Sequence, residues 1–460
     1  MAIPSRAATG CDNVPMTALF AGLTTLDVLH RLDHVPDPSL KVTSTDFTMA
    51  AGGPATNAAV TYAALCAASR VLSDPEDEAG AASGAPADSE ETPILLTALG
   101  EGPVSAFLAA DLAAVGVRVV DATAPASSPV KGFRTSAKLV VGGTRRRPTL
   151  GILGPDRRGV DLPGCPIQHP AINRATPGLK RFIRSLNLTP YDVPTKRGEL
   201  KNILITVGAG ERLMIRFVLR TRDRVSDIRS ALPLLRDLVP AAHVVTANIH
   251  PTHEAIVEGP DEIILTRART LPLSVEGLEL GPRSFAQTNA SVASALYEQA
   301  SVWASRPFTD GRLPESLWDL YCGVGGFALA AARGGFPRVT GVEVSSGAIS
   351  SAISAARHAG LSRWAASFIA DDATAWARAQ SPEDVPDVIV VNPPRRGIGA
   401  DLATYLNECD TPRVIYSSCN PASLATDLAA MPSLHPIEGR LFDMFPHTTH
   451  AEVALLLERA

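Results

Sequence analysis

The sequence predicts an α/β protein whose last third is a doubly wound sheet, on three observations. From about Ser284 to Ala460, short apolar runs alternate with helical stretches: SLWDLYCG, RVTGVEV, SFIADDA, DVIVVNPP and RVIYSSC, then two late strands near RLFDMFP and AEVALLLER. That order predicts a parallel sheet of about seven strands with helices on both faces. Between Lys131 and Arg283 the runs KLVV, NILITV, LMIRFVLR and HVVTANI are broken by Gly, Asn and Pro, with one helix over Arg224–Val239. They predict a β-rich middle with an antiparallel or mixed sheet. From Ala18 to Val130 the order is strand, helix, strand, helix: FAGLTTLDVL, AGGPATNAAVTYAAL, ILLTALG and SAFLAADLAAVGV. The acidic, small-residue stretch Ser73–Thr92 interrupts it as a disordered loop. The expected domains are therefore 1–130, 131–283 and 284–460.

Composition narrows the class. Of 460 residues, 45% are hydrophobic and 19% charged, which excludes a wholly disordered chain. No uncharged apolar stretch reaches the roughly 18–20 residues of a membrane span. The N-terminus has no apolar core of signal-peptide type, so a cytoplasmic protein with no membrane partner is expected. Six cysteines cannot form a disulfide scaffold, so any that matters does so as a thiolate or ligand. The net charge of −5 conceals three blocks. Residues 1–130 hold 5 Lys/Arg against 15 Asp/Glu, residues 131–237 hold 22 against 8, and residues 238–460 hold 15 against 24. A basic block between acidic ones suggests a polyanion-binding middle, although a solvated basic surface gives the same count. LMIRFVLRTRDR alternates apolar and basic residues and predicts a basic sheet face, or an ordinary half-buried strand with Arg outward.

Residues 18–130 resemble the N-terminal part of ribokinase-type (PfkB) carbohydrate kinases. The matching pieces are Asp27, Gly52-Gly53 with Asn57, and the helix ending in Gly116-Val117. The resemblance implies a partial ribokinase-like α/β segment in which the aspartate and the Gly-Gly/Asn piece contact a sugar. It covers about a third of such a kinase, and the family's GAGD helix start is missing. The nearest string, Val207–Glu211, ends in Glu and reads as a hairpin turn, so a working kinase is not expected.

The chemistry gathers at strand ends. Asp319-Leu320-Tyr321-Cys322-Gly323-Val324-Gly325-Gly326-Phe327 is a strand breaking into a glycine turn and then a helix, where backbone and helix N-terminus can approach a ligand. Glu343 ends the next strand, 20 residues beyond Gly323, a spacing that suits a carboxylate gripping ribose hydroxyls. Alone, this fits a nicotinamide cofactor or S-adenosylmethionine, and Ala328 stands where the full GxGxxG would have its last glycine. Asn392-Pro393-Pro394-Arg395 follows the strand DVIVV, and the stiff prolines leave Asn392 at the strand end. Base-modifying methyltransferases commonly carry this piece and dehydrogenases have no need of it. Cys419 ends the strand VIYSSC. A thiolate adding to carbon 6 of uracil makes carbon 5 nucleophilic toward a methyl sulfonium. A base must then remove the carbon 5 proton, and Glu452 is the candidate.

Residues 132–460 resemble RNA uracil-C5 methyltransferases, closest to the 23S rRNA type. The resemblance is carried by SFAQTN, TPYDVPTKRGELK, DLYCGVGGF, NPPRRGIG, YSSCN and LFDMFPHTTHAEV. It implies a Rossmann-like S-adenosylmethionine domain and an RNA substrate, 23S rRNA, in which 5-methyluridine is made. Cys419 matches the nucleophile and Glu452 the base. Gln287, Tyr321, Glu343 and Asn392 match cofactor contacts beside Gly323 and Gly325, and Asp372 matches a further acid for which Asp371 competes. Members of this subfamily hold an iron–sulfur cluster on four cysteines. Only Cys165, in Cys165-Pro166, matches one of them, and Cys11 and Cys66 lack the short spacing. One thiolate cannot hold a cubane, so no cluster and no other metal is expected. His447 and His450 read as packing or RNA contact rather than zinc ligands, Cys322 as filler, and Cys409 as structural. Arg145-Arg146-Arg147 reads as a phosphate contact or a solvated turn. A second reading is a fusion product that binds RNA or a sugar without catalysis, and residual sugar kinase activity is a third.

Overall fold

A computed structural model describes residues 19–21, 25–31, 46–52, 94–97 and 103–459, apart from 116, 255, 276 and 449. The chain divides into two compact units: Met1–Pro125 with Pro393–Leu441 and Glu452–Ala460, and Ala126–Asn392 with Phe442–Ala451. The glycine-pair helix, the loop 73–92, Gly53 and Asn57 lie outside the described residues.

In the first unit, the expected single strand FAGLTTLDVL is two, β1 (Leu19–Ala21) and β2 (Thr25–Arg31). β2 pairs antiparallel with β3 (Asp46–Gly52), so Asp27 stands opposite Ala50. β4 (Ile94–Thr97) lies parallel to β1 and to β5 (Arg118–Ala126), with helix α1 (Pro103–Ala114) between β4 and β5.

The second unit opens with the expected mixed sheet. Its strands are β6 (Ser136–Gly143), β7 (Pro148–Leu153), β8 (Gly159–Asp161), β9 (Leu200–Val207), β10 (Leu213–Leu219), β11 (Ala242–Ile249) and β12 (Asp261–Ile264), in the order β12-β11-β10-β9-β6-β7-β8. Val207–Glu211 is the hairpin turn between β9 and β10. α2 (Pro170–Ser185) begins with proline in its first turn, where no N–H is needed, and His169 Nδ1 accepts from Ala171 N. It buries Ile172, Leu179, Phe182 and Ile183 on one face, at helical spacing, against the sheet. The helix expected over Arg224–Val239 is broken into α3 (Val225–Ser230) and α4 (Leu232–Leu238). Pro233 cannot donate to continue α3 and instead starts α4. Every residue of β10 is buried, so Arg216, its one basic residue, does not reach solvent, while Arg220 and Arg222 just beyond the strand are exposed in part. Arg216 is instead gripped by Glu262 through two hydrogen bonds of 3.0 and 2.7 Å, with Glu258 at 2.8 Å. A buried guanidinium persists only with such partners.

Beyond the short pair β13 (Leu271–Pro272) and β14 (Glu279–Leu280), helix α5 (Ala290–Ala304) leads into the doubly wound part. The strands are β15 (Ser316–Leu320), β16 (Arg338–Glu343), β17 (Ala366–Ala370) and β18 (Val388–Val391), all parallel, in the order β18-β15-β16-β17. Helices α6 (Gly326–Arg333), α7 (Ser346–His358) and α8 (Ala373–Arg378) connect them.

The chain then returns to the first unit with α9 (Ala400–Glu408), β19 (Arg413–Ser418), α10 (Pro421–Ala429), β20 (Leu434–Phe442) and β21 (Glu452–Arg459). β21 runs antiparallel to β19, so the late strands make the sheet mixed rather than wholly parallel. A strand that returns through a loop, with no covering helix between, must reverse direction. The order within this unit is β1-β4-β5-β20-β21-β19. The N-terminal strands therefore do not stand without a partner: β5 is hydrogen-bonded to β20, and Arg440 Nε donates to Ala124 O at 3.0 Å. Among the described residues no helix is long and apolar enough to cross a membrane.

Candidate functional site

The second unit holds the glycine turn. Tyr321, Gly323 and Gly325 have φ of 65°, 54° and 86°, and these left-handed steps swing the strand into α6. At Gly325 a Cβ would also fall 3.0 Å from Phe368 and 3.2 Å from Ala352, so only glycine fits there. Gly325 is the N-cap and offers no side chain to the first-turn amides, while Gly323 has nothing within 4 Å of where a Cβ would be. Glu343 stands half-buried at the end of β16, with Oε1 accepting from Ser345 N at 2.9 Å. The Tyr321 hydroxyl lies 3.3 Å from Thr374 Oγ1. Asp372 caps α8 by accepting from Ala375 N at 2.9 Å, and Asp371 accepts from Asp372 N at 2.8 Å. Asn392 follows β18, whose Val391 pairs with Leu320. Gln287 lines a mainly apolar cavity with Val207, Leu278, Ala293, Tyr297 and Val324, the last belonging to the turn itself. A glycine turn leading into a helix N-terminus, open room above Gly323 and a carboxylate at the next strand end fit an adenosyl cofactor bearing a free ribose.

Asp319 lies on β15, just before the turn. It is fully buried, and its Oδ2 accepts from Ala328 N at 2.9 Å, which ties the turn to the strand beneath. Burial, with the charge of Glu343 adding, pushes its carboxyl up to about 7. The folded value thus lies above the roughly 3.9 of an unfolded aspartate. Its contribution to stability is full below about pH 4 and is lost as pH rises through 7. Asp319→Asn, which keeps an oxygen for Ala328, should gain on the native chain by a few kcal/mol, order of magnitude, between pH 5 and pH 8. Thermal melts of both proteins across that range check this, and parallel curves would refute it.

The first unit holds the thiol. Cys419 follows β19 directly and is half-buried. The β19–β21 register ends at Ser418 opposite Val453, and Cys419 and Glu452 are the next residues beyond that last pair. Glu452 is 1% exposed, and its Oε1 accepts from Ser417 Oγ at 2.5 Å. Burial pushes its carboxyl up to about 7, against the pull of the Ser417 hydrogen bond. Burial, then the neighbouring Glu452, push the Cys419 thiol up, while the guanidinium of Arg395 draws it back by charge and hydrogen bonding. The fold thus brings Cys419 and Glu452 together in one unit. Gln287, Tyr321, Gly323, Gly325, Glu343, Asp372 and Asn392 belong to the other. Sequence reasoning missed Arg395 and Ser417 as neighbours of this pair. Their closeness to NPP and to Cys419 in the chain was the available signal.

The remaining candidates fall elsewhere. Cys322 is buried behind the glycine turn, and a Cβ on Gly341 would meet its sulfur at 2.9 Å. Cys409 ends α9. The ring of His447 donates from Nε2 to Val130 O at 2.7 Å. Cys165 precedes α2, and its carbonyl accepts from Asn173 Nδ2 at 3.0 Å. Cys11 and Cys66 lie outside the described residues, among which no three His, Cys, Asp or Glu converge. Cys165, Cys322, Cys409 and Cys419 stand on separate elements and do not fit a four-thiolate cluster.

A family profile described as tRNA (Uracil-5-)-methyltransferase matches residues 383–460. The chain is 45% identical over 346 residues to the 23S rRNA (uracil(747)-C(5))-methyltransferase RlmC of Shewanella amazonensis, covering 74% of this chain and 88% of that protein. It is 44% identical over 338 residues to the RlmC of Escherichia coli K12, covering 73% and 87%. Among solved structures it resembles the Pyrococcus abyssi tRNA (uracil-54, C5)-methyltransferase in complex with S-adenosyl-L-homocysteine. The TM-score is 0.60 at 22% identity, over 74% of this chain and 79% of that one, which is a likeness of fold.

Proposed function

The chain belongs to the RNA uracil-C5 methyltransferase family, and on that premise we propose that it methylates carbon 5 of one uridine in 23S rRNA, the counterpart of the uracil 747 for which its relatives are named. The observation that carries the proposal is a thiol, Cys419, directly after β19, beside a buried carboxylate, Glu452, that begins β21 and is bonded to Ser417 of β19. Bound S-adenosylmethionine supplies an electrophilic methyl on a sulfonium. The chain's residues do the rest. Gly323, Gly325 and the α6 amides receive the cofactor, Glu343 its ribose, and Gln287, Tyr321, Asp372 and Asn392 line its place. The Cys419 thiolate, favoured by Arg395, adds to uracil carbon 6, and the displaced double-bond electrons let carbon 5 take the methyl. Glu452 then removes the carbon 5 proton. The ring double bond re-forms as the carbon–sulfur bond breaks and returns the thiolate. The Ser417 hydroxyl, donating to Glu452, favours the ionised carboxylate that this step uses.

Three loops support RNA docking. Arg145, Arg146 and Arg147 follow β6, Arg157 and Arg158 follow β7, and Lys196 and Arg197 precede β9, all of them exposed. The loops are neighbours: Arg145 Nε donates to Thr189 Oγ1 at 2.7 Å. Asp192 is held low by the Thr195 hydroxyl and, in smaller part, by the charge of Arg158. Such a surface suits a phosphate backbone. The carbohydrate-kinase resemblance of residues 18–130 is part of this reading only as a sequence resemblance, resting on Asp27, Gly52-Gly53, Asn57 and Gly116-Val117. We give them a structural part, extending the sheet through β5, and a ribosomal substrate puts the chain's work in the cytoplasm. The test is methyl transfer by the purified full chain from labelled S-adenosylmethionine to 23S rRNA transcripts, with the product mapped by mass spectrometry. One 5-methyluridine is expected in the 23S transcript. No incorporation, or incorporation into tRNA alone, would overturn the proposal.

A further inference from the structure

The loop that carries Arg395 is anchored by a carboxylate outside the reacting pair. Pro394–Gly397 closes as a turn, with Gly397 N donating to Pro394 O at 2.9 Å, and Arg395 is its second residue. Two contacts pin the turn from outside. Asn420 Nδ2, next in the chain to Cys419, donates to Arg395 O at 2.8 Å, and Ile398 N donates to Asp427 Oδ2 at 3.0 Å. The same Oδ2 accepts from the buried Tyr416 hydroxyl at 2.6 Å. Gly397, at φ 85°, packs so closely that a Cβ would fall 2.3 Å from Asp427 Oδ2. One buried oxygen thus joins the strand that ends at the thiol, the helix that follows it, and the turn beside both.

We propose that Asp427 is a positioning residue, holding the Pro394–Gly397 turn so that the Arg395 guanidinium stands against the Cys419 sulfur. Asn420 assists from the other side of the turn. This rests on Cys419 as the nucleophile of the proposed reaction. Position and charge pull in opposite directions here, which makes the idea testable. Removing a negative charge near a thiol, by itself, eases its ionisation. Releasing Arg395 hinders it.

The measurement is the rate of Cys419 alkylation by iodoacetamide against pH, read on the Cys419 peptide by mass spectrometry in the full-length chain. Asp427→Asn should slow alkylation at pH 8 by roughly tenfold, about one pKa unit upward. Arg395→Ala should do the same, and the double variant should be no slower than either. Gly397→Ala, which displaces the turn and leaves the carboxylate in place, should slow alkylation too and serves if Asp427→Asn does not fold. Asn420→Ser, which keeps the helix cap but shortens the reach to Arg395, should fall between. Alkylation at or above the native rate in Asp427→Asn and Gly397→Ala, or losses that add to that of Arg395→Ala, would overturn the positioning role. Neither RNA nor cofactor is in the assay, so such a failure leaves the methyl-transfer proposal standing. That proposal is judged by turnover of Cys419→Ala.

Discussion

Cys419→Ala is expected to abolish methylation of the 23S transcript and, with it, any covalent protein–RNA complex. Without the sulfur, carbon 5 of uracil stays in a conjugated ring and has no electron pair to offer the methyl group. Loss of a nucleophile that acts in a concerted unit costs about 10⁴-fold or more. Cofactor binding should survive, because the alanine leaves the glycine turn and Glu343 untouched. The discriminating pair of measurements is methyl incorporation and equilibrium binding of S-adenosylmethionine. Turnover within tenfold of the native chain would remove the thiolate mechanism.

Glu452→Gln should behave in the opposite manner: chemistry begins and does not finish. Thiolate addition and methyl transfer need no carboxylate, but release of the product needs a base at carbon 5. The variant should therefore accumulate a methylated protein–RNA adduct, visible as a slow band on a denaturing gel, while turnover drops about 10²–10⁴-fold. In the proposed mechanism the proton-removal step requires ionised Glu452. With its carboxyl at about 7, the rate of this step should rise with pH through neutrality and level off above it. Adduct breakdown in the Gln variant should lose that dependence. A variant that turns over normally would acquit Glu452.

The candidate site was legible in outline because its proposed residues sit at strand ends. Glu343, Asn392 and Cys419 each close an apolar run, and in a wound sheet that position faces ligands whatever the rest of the fold. What the sequence hid was mostly long-range. The direction of β21 depends on its pairing with β19 and leaves no mark in AEVALLLER. Arg216 looks like an outward residue of an alternating strand, and its burial is intelligible only once Glu262, 46 residues on, is known to face it. Asp427 looks like an ordinary polar residue of a short helix, and nothing local says that its oxygen will meet Ile398 and Tyr416. The partner of β5 lies more than 300 residues away in β20. Local pattern reports which face is apolar, while partners are chosen by the whole chain.

The seam between β5 and β20 has one more consequence. Any open sheet ends in a row of unused amides and carbonyls, ready to recruit a foreign strand. Were the chain to start after Ala126, that margin would be β20, nine residues long. With the N-terminal strands in place, the frontier moves outward to β1, which is only three residues long. Among the described residues, so brief a margin offers a foreign strand far fewer amides and carbonyls than β20 would.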